Sequence, residues 1–213
     1  MKTRPIPMSA FARFYEASPL NKVTRVRNAL LMAVDPEGYK VRDYYLDLRN
    51  TLSETHWRTG DILSFEEALD ALVEEQEDSR KKGHYLAAGR AYIDFWKKQD
   101  ARYFCVPSSE VEIAGLPVEV TTEVGMRCRE GSFALKLWFN AGKPTRQFRQ
   151  AVQFMTCMGR DGSWREEWQP AVWDVRRQAV LPPIPIPKEF GLALEGQSAA
   201  FQRIWGRLEE EGM

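Results

Sequence analysis

The stretch from Val111 to Asn140 constrains the fold most, because its apolar residues recur at every second position. Val111 and Ile113 alternate with glutamates. Val118, Val120 and Thr122 alternate with Glu119, Thr121 and Glu123. Phe133, Leu135, Leu137 and Phe139 alternate with Ala134, Lys136 and Trp138. A period of two sends successive side chains to opposite faces of a pleated strand, so two or three consecutive strands are expected. Gly115-Leu116-Pro117 and Arg129-Glu130-Gly131-Ser132 supply turns between them. A meander is the simplest arrangement.

Helical periodicity precedes this segment. Leu20, Val23, Val26 and Leu30 share one helical face, with Ser18-Pro19 as the start. Asp35-Pro36-Glu37-Gly38 reads as a turn. Val41, Tyr44, Tyr45, Leu48 and Leu52 then mark a second helix that ends before Gly60. Ser64-Phe65-Glu66-Glu67 fits a capping box. Behind it, Phe65, Leu69, Leu72 and Val73 lie opposite an acidic run from Glu66 to Asp78. Gly83 is expected to break or bend this helix. A further helix covers Tyr85 to Lys98, burying Tyr85, Ala88, Tyr92, Phe95 and Trp96.

Beyond the strands, Thr145 is a reasonable N-cap for a helix that buries Phe148, Val152 and Met155. Ala171 to Val175 reads as one more strand. Leu181 to Pro187 has too few amide donors for a helix or a central strand, so it reads as an extended surface arm. It is either a rigid connector or a ligand for a partner's aromatic groove. A last helix, Ser198 to Glu210, carries Phe201, Ile204, Trp205 and Leu208 on one face. The expected class is α+β. N-terminal helices over residues 1–79 precede an αβββαβ-like core with a mixed sheet over residues 80–213, which includes the proline-rich arm and the C-terminal helix. The two parts pack as one unit.

Composition narrows the function classes. With 213 residues, 44% of them hydrophobic, the chain can bury one sizeable core. The net charge is zero, so the whole chain carries no footprint for a polyanion. Arginines nevertheless cluster at Arg25, Arg27, Arg42 and Arg49, and again at Arg146, Arg149, Arg160, Arg165, Arg176 and Arg177. The longest apolar runs, such as Ala29 to Val34, are too short to cross a bilayer. No apolar segment backs the basic N-terminus, so a cytoplasmic protein without leader or membrane anchor is expected. Cys105, Cys128 and Cys157 are widely spaced and read as reduced, mostly buried thiols. No phosphate-binding glycine loop and no nucleophile elbow occur. Two histidines, His56 and His84, are too few for a histidine metal site.

The order of elements from Gly83 onward resembles the αβββαβ core of the PD-(D/E)XK nuclease superfamily, in particular its RecB-like branch, over residues 80–177. The resemblance implies phosphodiester chemistry with Mg²⁺ held by acidic side chains and a lysine that orients water. It places His84 at the histidine of the first core helix, Glu123 near the second-strand acid and Lys136 at the third-strand lysine. Gln150 or Gln153 takes the place of the glutamine in the following helix. The chain departs from the pattern at Ala134, where a carboxylate is expected two residues before the lysine. Glu112 and Glu119 are the substitutes that complete a metal-ligand pool with Glu123. Arg146 and Arg149, with Gln150, are candidates for the phosphate backbone.

The implied function is a nucleic-acid-associated protein with a degenerate nuclease core, acting in DNA processing or defence against foreign DNA. The rival is a non-enzymatic adaptor that meets a protein partner through the proline arm or a tryptophan-bearing surface. Trp138 shares the Lys136 face, which is either a binding surface or a face covered by helices. Trp164 and Trp168, four apart, are expected to form one aromatic ridge on a helix turn.

Overall fold

The computed structural model describes residues 5–34, 44–160 and 164–212. Two sheets organise an α+β fold. The larger is mixed, with five strands in the order β2 (Arg102–Phe104), β5 (Val124–Cys128), β6 (Gly131–Trp138), β7 (Trp168–Asp174) and β8 (Ala179–Leu181). β6 runs parallel to β7, and the other pairings are antiparallel. In the smaller sheet, β4 (Leu116–Val120) lies between β3 (Ser109–Ile113) and the two-residue β1 (Ile6–Pro7). The expected meander is therefore split. β3 and β4 form a hairpin of their own, and Thr121 to Glu123 carry the chain across to the larger sheet.

The helices divide between the two faces of the larger sheet. On one face, α3 (Leu46–Thr59), α4 (Ile62–Glu75) and α5 (Ser79–Lys98) close a core with Val124, Met126, Phe133, Leu135, Leu137 and Trp173. The other core joins Trp138 and Val172 to α1 (Met8–Glu16), α2 (Pro19–Val34), α6 (Arg146–Met158), α7 (Phe190–Glu210) and the inner side of the smaller sheet. There the Phe201 ring meets Phe14 edge-on at 5.1 Å and Phe11 at 6.1 Å. Residues 132–139 are buried without interruption, which is the signature of a strand covered on both sides.

Several local expectations are corrected. α4 is capped by Asp61, whose carboxylate accepts from the amides of Leu63 and Ser64, so Ser64 lies inside the helix. Gly83 does not interrupt α5. The helix starts earlier, at the Asp78 cap, and one exposed glycine costs only about 1 kcal/mol against twenty residues of helix. Leu20 and Val23 face solvent, and α2 buries Val26, Ala29 and Leu30 instead. α7 begins at Phe190 rather than near Ser198. Cys105 and Cys157 are exposed, and all three cysteines are free thiols. The turn expected at Asp35 to Gly38, and Val41, lie outside the described residues.

The proline arm is extended as expected, and α6 holds it. Arg149 donates to the Pro182 carbonyl (2.7 Å) and Gln150 to that of Pro185 (2.9 Å), while the Ile184 amide donates to Gln153 (2.9 Å). No described helix is long and apolar enough to cross a membrane.

His56 is completely buried, stacked on Tyr103 and 2.7 Å from the Tyr92 hydroxyl through Nε2. Burial disfavours its charged form and lowers its pKa to about 4. The unfolded chain then binds the proton more tightly, so stability is complete above the ordinary value of about 6.5 and falls as the pH drops towards 4. The expected loss is about 2 kcal/mol by pH 5, read by urea unfolding at several pH values. His56→Phe flattens this slope; a wild-type profile already flat from neutrality to pH 5 would contradict the assignment.

Candidate nucleic-acid interface

The sheet brings Glu123 and Lys136 together. Lys136 sits near the end of β6 with its side chain 9% exposed, and Glu123 is buried to the same extent. Its Nζ donates to Glu123 Oε1 at 2.5 Å and to the Thr121 carbonyl at 3.2 Å. β5 begins only at Val124, opposite Leu135, so the Leu137 amide lies beyond the end of that ladder. Glu123 fills the gap: Oε2 accepts from the Leu137 amide (3.0 Å), while the Glu123 amide donates to the Leu135 carbonyl (3.0 Å). The pair thus closes the end of the β5–β6 ladder where the chain arrives from the small sheet.

The other acidic candidates are elsewhere. Glu119, paired opposite Glu110, and Glu112, opposite Pro117, are exposed on the smaller sheet. The expectation that Glu119 and Glu123 share one strand is corrected, because β4 ends at Val120. Ala134 is fully buried in a cross-sheet row between Gly125 and Pro170. A Cβ on Gly125 would collide with the carbonyl and ring of Phe104, and that ring stacks on Trp168 at 4.4 Å. The place of the third-strand carboxylate is thus packed with hydrocarbon. Both oxygens of Glu123 are already engaged. Among the described residues no group of three or more His, Cys, Asp or Glu could hold a metal ion. This donor set does not fit the Mg²⁺ implied by the resemblance.

Beside Lys136 a cleft of about 350 Å³ opens. Arg13 of α1, Arg25 of α2 and Arg49 of α3 line it together with Lys136, Tyr44, Tyr45, Trp138 and Phe139. No carboxylate is among its described lining residues, although Glu16 lies 3.9 Å from Arg13 and Glu123 pairs with Lys136 behind them. The Arg13 guanidinium lies 4.5 Å over Trp138, and the indole is buried beneath it and Phe148. Helices therefore cover the Trp138 face. The Tyr44 hydroxyl is 2.9 Å from Nδ1 of His84, which is exposed on α5. Tyr85 donates to the Tyr44 carbonyl (2.8 Å) and to Asp47 (3.2 Å); burial pushes its pKa up to about 12, so it stays a donor.

Arg146 is exposed at the start of α6, whose cap is Thr145 as expected. Arg149 and Gln150 are committed to the arm. Trp164 and Trp168 do meet, at 5.6 Å, but across a turn entering β7 rather than along a helix. Arg25 and Arg49 belong to the arginine-rich N-terminal region visible in the sequence. Arg13, Tyr44 and Tyr45 carried no sequence signal for this site, since α1, α2 and the start of α3 converge on β6 only in the fold. Searches against family models, curated proteins and solved structures return no match.

The clamp has a measurable signature. Glu123→Ala strands a buried ammonium and frees a strand-edge amide, so it is expected to cost about 3 kcal/mol in chemical denaturation. Adding Lys136→Met should restore much of that loss, giving a strongly non-additive double-mutant cycle. Simple additivity of the two losses would show that the groups are not coupled.

Proposed function

We propose that this chain is a nucleic-acid-associated protein built on a PD-(D/E)XK-like core that binds without cleaving. The cleft carries the reading: Arg13, Arg25 and Arg49 and several aromatic rings line it, above a Lys136 that is paired with Glu123. That combination suits phosphates, whose charge rewards clustered cations whatever the sequence of the strand. The layout α5, β2, β5, β6, α6, β7 supports the resemblance, with the β3–β4 hairpin as an insertion after the first core strand. Residues 111–113 and 118–120 lie in the smaller sheet, so the αβββαβ order that the resemblance implies is met only with β2 and β5 in their place; Glu123 and Lys136 are adjacent. The packed alanine and the engaged glutamate argue for binding alone. A role in DNA processing or in defence is the setting in which such a core would serve.

The adaptor reading draws less support. Its proline arm is hydrogen-bonded to α6, and Trp138 and Trp168 are buried.

Binding to a labelled oligonucleotide is expected at low salt and should weaken steeply as salt rises. Arg25→Ala, an exposed position, should lower the magnitude of the log–log salt slope by about one. With Mg²⁺ or Mn²⁺ the oligonucleotide should stay intact. No binding at low salt overturns the proposal, as does metal-dependent cleavage that Glu123→Ala abolishes.

A further inference from the structure

The floor of the cleft is covered by the protein's own side chains, so a ligand meets its walls. Lys136, Trp138 and Phe139 line it yet are only 7%, 5% and 4% exposed. A duplex keeps its bases paired and stacked, so it offers those walls no free base face. A single strand can turn one nucleotide inward, because its bases are not held in pairs.

The aromatic rings sort into those already covered and one that is not. Tyr45 and Phe139 are stacked on each other, with centroids 5.0 Å apart and planes 16° apart. Trp138 lies under Arg13. Tyr44 is half-buried, and its ring neighbours Tyr45, His84 and Tyr85 meet it at 71°, 58° and 82°. No described ring lies parallel to it. Its hydroxyl is fixed by His84 and its carbonyl by Tyr85. Tyr44 is thus a braced ring at the cleft with no stacked partner, the form of platform on which a base can stack at little entropic cost.

We infer that the cleft takes one unpaired nucleotide of a single strand, with its base stacked on Tyr44 and its phosphate among the cleft's arginines. This rests on the nucleic-acid reading above. A free nucleoside monophosphate shares the same chemistry, and competition separates the two sources.

The test uses the full chain at low salt with a fluorescently labelled short single strand, the same sequence as a blunt duplex, and a nucleoside monophosphate and inorganic phosphate as competitors. The single strand is expected to bind at least about tenfold more tightly than the duplex. Tyr44→Leu should lower single-strand affinity by about tenfold and leave duplex affinity unchanged, while Tyr44→Phe, which keeps the ring and loses only the hydroxyl brace, should retain most of the affinity. Equal affinity for the two forms, or an unaffected Tyr44→Leu protein that remains folded by circular dichroism, overturns the inference and leaves the nucleic-acid reading standing. Loss of affinity in Tyr44→Phe equal to that in Tyr44→Leu also overturns it, since stacking would then not be the cause. A monophosphate that binds more tightly than the strand replaces the single strand with a free nucleotide, and phosphate competing as well as the monophosphate removes the base from the account. Absence of binding by any of these probes overturns both readings.

Discussion

A strand covered on both faces offers its polar groups no water, so each must be satisfied from within the protein. β6 is such a strand, and Lys136 is its buried cation. The ion pair with Glu123 answers that demand and also finishes the hydrogen bonding of the β5–β6 ladder at Leu137. Around this strand the helices sort into two cores, one on each side. The cleft exists because β6 ends there, with Trp138 and Phe139 roofed only in part by helices from the first third of the chain.

Neutral overall charge conceals an uneven distribution. The acidic run of α4 is met by α5: Arg90 contacts both Glu66 and Asp70, and Lys97 contacts Glu66. These pairs add little to stability, but they tie Glu66 and Asp70 of the acidic helix to its neighbour. Arg13 has aromatic faces beneath it, and Arg25 stands exposed on α2. The charge at one place on the surface can thus differ from the sum over the chain.

Much of the architecture was legible in the sequence, for identifiable reasons. The period-two pattern located β6, and Thr145 announced α6 through a side chain that accepts from an amide three residues on. The arm was legible because prolines lack donors. What failed depended on partners distant in sequence. Nothing in Val118 to Glu123 tells that the chain leaves one sheet for another between Val120 and Val124. Gly83 looked like a stop because its own propensity is poor, while the packing of Tyr85, Ala88 and Tyr92 on α3, α4 and the sheet outweighs it. Of the candidate site, Glu123 and Lys136 were legible through a resemblance. The arginine and tyrosine lining was not, because three separated segments contribute to it.

The edge-on contacts of Phe201 with Phe11 and Phe14 bear on how this molecule is made. They join rings separated by most of the chain, and loop-closure entropy must be met before such a contact repays it. During synthesis the core beneath α3, α4 and α5 can assemble once β7 has left the ribosome. The core that holds α1 must wait for α7, leaving Phe11 and Phe14 uncovered in the meantime. The two sides of one sheet therefore mature at different moments, and the face that carries the cleft is the later of the two.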